Sequence, residues 1–200
     1  ALDLTEKDSI ATYEQLLKDE NPEIAVLVNA SGFGQFTAFA DTELDTLYGM
    51  IDLNARALMG MTYVSLPYLK EGSRVYQMGS LSSFQPVPCI NVYGATKAFV
   101  LSFTRALNVE WKKRGIRQMA VCPHWVKTEF FDRAVTDERV ITYYNRFFTS
   151  QEVVTRALRD MRKGKDVSVV GFSIRAQVFF TKLLPHRLVM KIWLKQQGKK

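Results

Sequence analysis

The sequence predicts an α/β protein: a doubly wound parallel sheet with helices on its faces. Two observations carry that expectation. Short apolar runs at 24–28, 73–78, 117–122 and 167–170 alternate with longer segments whose apolar residues recur at helical spacing, the pattern of repeated βα units. The run Ile24 to Val28 is apolar without a break, as in a strand covered on both faces.

Taken in order, Ala1 to Leu4 reads as the end of a strand, and Thr5 and Asp8 mark the start of a helix with Ile10, Tyr13, Leu16 and Leu17 at helical spacing. After the strand 24–28 comes a glycine-bearing loop, Asn29-Ala30-Ser31-Gly32-Phe33-Gly34. Residues 41–69 form a long helical region, one helix or two, stopped at Lys70-Glu71-Gly72. Ser73 to Met78 is a strand, Val92 to Arg114 a helix stopped by Gly115, and Arg117 to Cys122 a strand ended by Pro123. Residues 124–150 read as irregular and aromatic, Gln151 to Arg162 as helix, and Val167 to Val170 as a last short strand. The helices over 54–69 and 92–111 are apolar nearly all round, so each needs two covers. The sheet is one, and a second copy of the protein, making a homo-oligomer, would be the other.

Bulk properties narrow the function. Of 200 residues, 47% are apolar and 12% aromatic, enough to fill a core and to exclude wholesale disorder. The net charge of +7 is not spread evenly: residues 156–200 hold 12 of the 27 Lys and Arg but only Asp160 and Asp166 among the acids. The body is thus mildly acidic and the tail basic, and with no nucleic-acid motif present, nucleic-acid binding is not expected. Cys89 and Cys122 cannot make a disulfide framework and are expected to be reduced, which favours a cytoplasmic setting. No basic-then-apolar signal segment opens the sequence, and the apolar stretch Val167 to Leu184 is broken by Arg175 and Lys182, short of a spanning helix.

The chemistry lies in a few spaced residues. Tyr93 and Lys97 stand four apart on the helix expected from Val92, so they share a face and can act on one ligand. Ser80 lies thirteen residues before Tyr93, just past a strand end, where open α/β sheets bind ligands. Asn54 falls in the long helical region, and Asn29 directly follows a strand.

Together these motifs resemble the short-chain dehydrogenase/reductase family. Tyr93-Gly94-Ala95-Thr96-Lys97 is similar to its Tyr-xxx-Lys element, and Ser80 keeps its serine-to-tyrosine spacing. Val28-Asn29-Ala30-Ser31-Gly32 resembles its Asn-Asn-Ala-Gly turn, with Ala30 for the second Asn. Pro123-His124-Trp125-Val126-Lys127-Thr128 resembles the Pro-Gly-x-Val-x-Thr segment that wraps the nicotinamide, with His124 where glycine is usual. Asp3 matches the acidic residue that touches the adenine.

The resemblance implies a Rossmann-type fold of the classical branch and an NAD(P) cofactor, NADP slightly favoured. It implies that Tyr93 exchanges a proton with a ketone or alcohol, that Lys97 lowers the phenol pKa and holds the ribose, and that Ser80 hydrogen-bonds the carbonyl oxygen. Asn54 would hold a water that relays protons to Lys97. Asn29, Ala30, Ser31, Gly32, Pro123, Val126 and Thr128 would border the cofactor. Plainer roles stand beside these. Tyr93 and Lys97 would be a surface pair, Ser80 a turn residue in competition with Ser82 and Ser83, and Asn54 a kink residue. Asn29 has a structural job, bonding loop backbone beside the cofactor, and no catalytic role; His124 is read as a tolerated replacement, with contact to substrate or cofactor as the alternative. Two distant histidines make no metal site.

The family begins with a strand, a glycine-rich turn and a helix that cradle the pyrophosphate. No such turn is found after Ala1, and the expectation is that it lies upstream, together with the residue that separates NAD from NADP. The strand 24–28 would then carry an open edge. Residues 1–174 are read as the C-terminal portion of the domain, a fragment expected to be inactive alone, and 175–200 as a basic amphipathic extension. Phe130, Phe131, Tyr143, Tyr144, Phe147 and Phe148, with Phe84, Val87 and Trp125, suggest an apolar substrate pocket or else core and dimer contacts. The tail, apolar clusters interleaved with Lys and Arg and broken at Pro185, suits peripheral membrane contact. A helix closing over the pocket or packing on a partner subunit is an equal reading. The function expected is oxidoreduction of a ketone/secondary-alcohol pair on a lipid, steroid or 3-oxoacyl molecule. The alternatives are an idle cofactor-binding or scaffolding protein, disfavoured by the intact Ser80/Tyr93/Lys97 set, and an isomerase or dehydratase of the extended branch, for which the segment after 128 is short.

Overall fold

A computed structural model describes residues 1–199. Ala1 to Leu4 form no strand: the Asp3 carboxylate accepts hydrogen bonds from the Thr5 amide (2.9 Å) and hydroxyl (2.7 Å), which folds the segment into a turn. Helix α1 (Ser9–Glu20) ends at Asn21, whose left-handed φ of 40° lets its amide reach the Leu17 carbonyl. Strand β1 (Ile24–Asn29) follows. The long helical region is one path: α2 (Leu44–Ile51), a π-helical stretch Asp52–Ala57, and α3 (Leu58–Ser65).

Strand β2 (Leu69–Met78) starts earlier than the Ser73 expected, because Lys70-Glu71-Gly72 is an irregularity within the strand rather than a helix stop. The register with β1 slips between Ile24 and Val26, and Gly72, at φ 89°, donates its amide to the Gly115 carbonyl. Helix α4 (Asn91–Glu110) runs through a 3-10 turn to Gly115 at φ 69°. Strand β3 (Arg117–Val121) leads into the aromatic segment, which is more ordered than expected. It holds β4 (Trp125–Val126), α5 (Phe130–Ala134) and β5 (Phe147–Phe148), with β4 and β5 paired in parallel. Helix α6 (Ser150–Arg162), opened by a Thr149/Glu152 capping box, precedes β6 (Val167–Ser168), α7 (Phe172–Leu183) and α8 (His186–Gln196). The boundary expected at 174/175 therefore falls inside α7.

The main sheet is four parallel strands in the order β1-β2-β3-β6, with helices packed against it. Its centre is dry: Val75, Met119 and Ala120 are fully buried. One corner is polar and satisfied. The Thr62 hydroxyl accepts from Asn29 Nδ2 (3.0 Å) and Gln77 Nε2 (2.9 Å) and donates to the Leu58 carbonyl (2.7 Å), tying β1, β2 and α3 at one point. Strand β1 is the sheet's edge among the described residues. Leu27 is buried but Val26 and Val28 stand more than half exposed, so the two-faced cover expected for this run is present on one face only. Tyr63 on α3 and Val109 on α4 are exposed as well. No helix of the described residues is long and apolar enough to cross a membrane.

Candidate active site

Asn29, Met78 and Val121 bring β1, β2 and β3 to a common carboxyl edge, and the segments that follow them form the site. The turn after β2 is fixed by its serines. The Ser80 amide donates to Ser83 Oγ (3.1 Å), Ser80 Oγ accepts from the Ser82 amide (3.2 Å), and Ser83 Oγ donates to the Lys97 carbonyl (2.7 Å). Ser83 is thus spent on α4, while the Ser80 hydroxyl lies near enough to the Tyr93 phenol to pull its pKa down. Tyr93 and Lys97 lie one turn apart on α4, with Lys97 Nζ 5.7 Å from the Tyr93 ring centre. Nζ donates to the Met78 carbonyl (2.8 Å).

Burial governs the titration of both groups. It pushes the Tyr93 phenol up to about 12, with the Ser80 hydroxyl pulling the other way. It brings the Lys97 ammonium down to about 8. The expectation that Lys97 lowers the phenol pKa is not met here: burial raises it, and the opposing influence is Ser80 rather than the ammonium. At neutral pH Tyr93 is a protonated phenol and Lys97 a cation.

Two cavities meet at these residues, one of about 370 Å³ and one of about 330 Å³. Their shared wall is Phe36, Ser80, Tyr93, Pro123, His124 and Trp125. The smaller cavity is also lined by Ala30, Gly32, Gly79, Lys97, Val126 and Thr128. A Cβ on Gly32 would stand 2.8 Å from Asn54 Oδ1 and 3.2 Å from Lys97 Nζ, so glycine keeps this cradle open. The larger cavity is mostly apolar, with Val87, Ile90, Tyr143, Leu184, Val189 and Trp193 among its walls.

The remaining expected site residues divide clearly. Asn54 is fully buried; its Nδ2 donates to the Phe33 carbonyl (2.8 Å) and Thr96 Oγ1 (3.1 Å), and its Oδ1 accepts the Phe33 amide (3.0 Å). Both of its amide hydrogens are spent on holding the glycine loop against α4, leaving only the carbonyl oxygen to meet a water. Asn29 is engaged inside the fold with Thr62 and Gln77, and neither it nor the exposed Ser31 lines a cavity. Asp3 is exposed, bonded to Thr5, and lines neither cavity. His124 borders both cavities, hydrogen-bonds Asn145, and has its pKa lowered by burial. No cluster of metal-ligating side chains is present among the described residues.

The aromatic set splits too. Val87, Trp125 and Tyr143 wall the larger cavity and Phe130 and Phe131 the smaller, whereas Phe148 is core. Phe36, absent from the sequence reading, is the hub: its ring lies 6.0 Å from Trp125 and 6.2 Å from Tyr93. The tail forms one wall of the larger cavity. Trp193 Nε1 donates to the Pro88 carbonyl (3.1 Å), and buried Gln197 accepts from the Thr142 and Tyr143 amides through Oε1. The apolar residue Val189 four before Trp193, inside a basic helix, was the available signal.

The family described as short chain dehydrogenase matches residues 1–139. The chain belongs to the short-chain dehydrogenase/reductase family. Among curated relatives, it is 32% identical over 133 residues to sulfoacetaldehyde reductase 2 of Chromohalobacter salexigens, covering 64% of this chain and 53% of that protein. It is 33% identical over 136 residues to the very-long-chain 3-oxoacyl-CoA reductase of Bos taurus, covering 64% and 43%. A short-chain dehydrogenase from Sphingobium yanoikuyae in complex with NADPH superposes with a TM-score of 0.75 at 27% identity, covering 90% of this chain and 71% of that one. The chain spans about half the length of the curated relatives it matches. The two reductases are named for unlike substrates, so kinship to this short-chain dehydrogenase/reductase leaves its substrate to be read from its own cavity.

Proposed function

We propose that this chain carries the reacting part of an NAD(P)-dependent oxidoreductase that interconverts a ketone and a secondary alcohol on an apolar small molecule of lipid, steroid or 3-oxoacyl type. The observation that carries the reading is the wall shared by the two cavities: Ser80 and Tyr93 face both. The smaller cavity fits the nicotinamide half of the cofactor, since Gly32 leaves a cradle beside a buried cation. Lys97 and Thr128 would hold it there, with Ala30, Pro123 and Val126 along its sides. The cofactor, when bound, supplies or accepts hydride.

The chain's own groups do the rest. Ser80 Oγ donates a hydrogen bond to the substrate carbonyl oxygen and orients it toward the phenol. Tyr93, kept protonated by burial, gives its proton to that oxygen as negative charge develops there, and Lys97 stabilises the phenolate left behind. The apolar walls of the larger cavity exclude water and favour a hydrocarbon body on the substrate. We also infer a homo-oligomer in which a second copy covers exposed Tyr63 and Val109; Tyr63→Lys should lower the mass measured by sedimentation.

The test uses the full-length natural protein, following NAD(P)H consumption with ketones, steroids and 3-oxoacyl thioesters and a Tyr93→Phe control. Turnover of apolar ketones that the control reduces by about 100-fold or more is expected for loss of a general acid. No turnover on any member, or turnover indifferent to the control, would leave a cofactor-binding or scaffolding role.

A further inference from the structure

Helices α7 and α8 carry two kinds of residue on their outer surface. Ile174, Val178 and Thr181 turn α7 inward, and Val189 and Trp193 turn α8 toward the cavity. On the outside stand Phe172, Phe179, Phe180 and Leu183, with Leu188 and Ile192 beyond Pro185. Phe172 is 81% exposed and Leu183 64%, and side chains this apolar gather in contiguous exposed patches only where something covers them. Along the same two helices lie Arg175, Lys182, Arg187, Lys191 and Lys195, and no acid occurs in the sequence after Asp166.

The cavity opens at the same place. Phe180 and Ile192 line the larger cavity and are also well exposed, so they form its rim on the patch. An apolar face on two helices that carry cations and no acid is complementary to one surface chemistry, a hydrocarbon interior under anionic headgroups. A protein partner would need an apolar and acidic face with a hole through it to leave the cavity mouth open.

We propose that the outer face of α7 and α8 seats the protein on an anionic lipid surface, with the larger cavity opening into the bilayer so that an apolar substrate enters from lipid. The entry route rests on the oxidoreductase reading above; the docking does not. Phe172, Phe179 and Leu183 enter the acyl region, while Lys182, Arg187 and Lys191 remain at headgroup level. Docking through this face alone is reversible.

The experiment uses the full-length protein and vesicles of phosphatidylcholine with or without about one-third phosphatidylserine. Phe179→Trp places a reporter on the patch and away from both cavities. Its added emission should be quenched by brominated acyl chains in the phosphatidylserine vesicles at low salt, and quenching should fall severalfold in 0.5 M salt or in Lys182→Glu/Lys191→Glu. Absence of quenching overturns the proposal, even if the protein floats with vesicles through another segment. So does quenching that ignores headgroup charge. A measured mass that halves in Phe179→Ser/Leu183→Ser would assign the face to a second copy and likewise overturn it. Turnover of a water-soluble ketone should be unchanged in Phe179→Ser/Leu183→Ser, whereas turnover of a vesicle-borne ketone should fall about tenfold. Loss of both activities in the unmodified protein would refute the chemistry while leaving the quenching result to judge the docking.

Discussion

Replacing Lys97 with methionine should make the protein more stable at pH 7 while it stops turning over. The ammonium, only 3% exposed, is held at about 8 rather than 10.5 by burial. That gap corresponds to roughly 3 kcal/mol withheld from folding, at about 1.4 kcal/mol per tenfold change. Methionine fills similar space without the charge, but forfeits the bond to the Met78 carbonyl, about 1.5–3 kcal/mol for a charged donor. The net gain is up to about 1.5 kcal/mol, or up to about 6 °C in Tm for a domain of this size. The pH dependence gives the sharper test. Below pH 8 Lys97 is charged in both folded and unfolded chains, and its cost is present in full. Between pH 8 and 10.5 the folded chain sheds the proton first, so the wild type gains on the variant. Above that range the methionine advantage is gone. Thermal unfolding of the full-length protein and Lys97→Met at pH 7, 9 and 10.5 measures this, with NAD(P)H consumption followed alongside. A variant less stable at pH 7, or an advantage constant across the range, would refute the account of Lys97 as a buried cation retained at a cost.

Three further outcomes follow from the same geometry. Gly34→Ala places a Cβ 2.8 Å from Tyr93 Cδ2 and 3.1 Å from Phe130 Cζ, and should lower kcat at least tenfold by moving the phenol, with circular dichroism unchanged. Thr62→Val leaves the buried Gln77 amide without an acceptor and should cost about 1–3 kcal/mol in urea unfolding. Trp193→Phe removes the bond to the Pro88 carbonyl and should raise KM for apolar ketones severalfold, with a smaller effect on kcat, in steady-state kinetics.

The reacting groups were legible because their signals are local. Tyr93 and Lys97 share a helix face by spacing alone, and Ser80 is placed by the strand that ends before it. What escaped the sequence depends on distant partners. Phe36 lies in a loop with no periodicity and becomes the hub only when Tyr93, Trp125 and Phe130 arrive from three other segments. Gly72 reads as a helix stop but is an irregularity in β2, which shows only in the pairing with β1 and the bond to Gly115. Lys97 next to Tyr93 suggests a lowered phenol pKa, yet spacing carries no measure of burial, and burial decides it. Val26 and Val28 look like core residues because an apolar run cannot say which of its faces is filled.

The latch made by Trp193 and Gln197 also orders events in time. Ser80, Tyr93, Lys97 and Thr128 have all been polymerised some seventy residues before Gln197 is made. The wall that shields them is made well after they are, anchored to Pro88 from 105 positions away. A chain ending early, by a premature stop or a clipped terminus, would keep every reacting group and present them to bulk water. Its defect would be an open door rather than a missing tool, and a separately supplied α8 peptide is the repair to try.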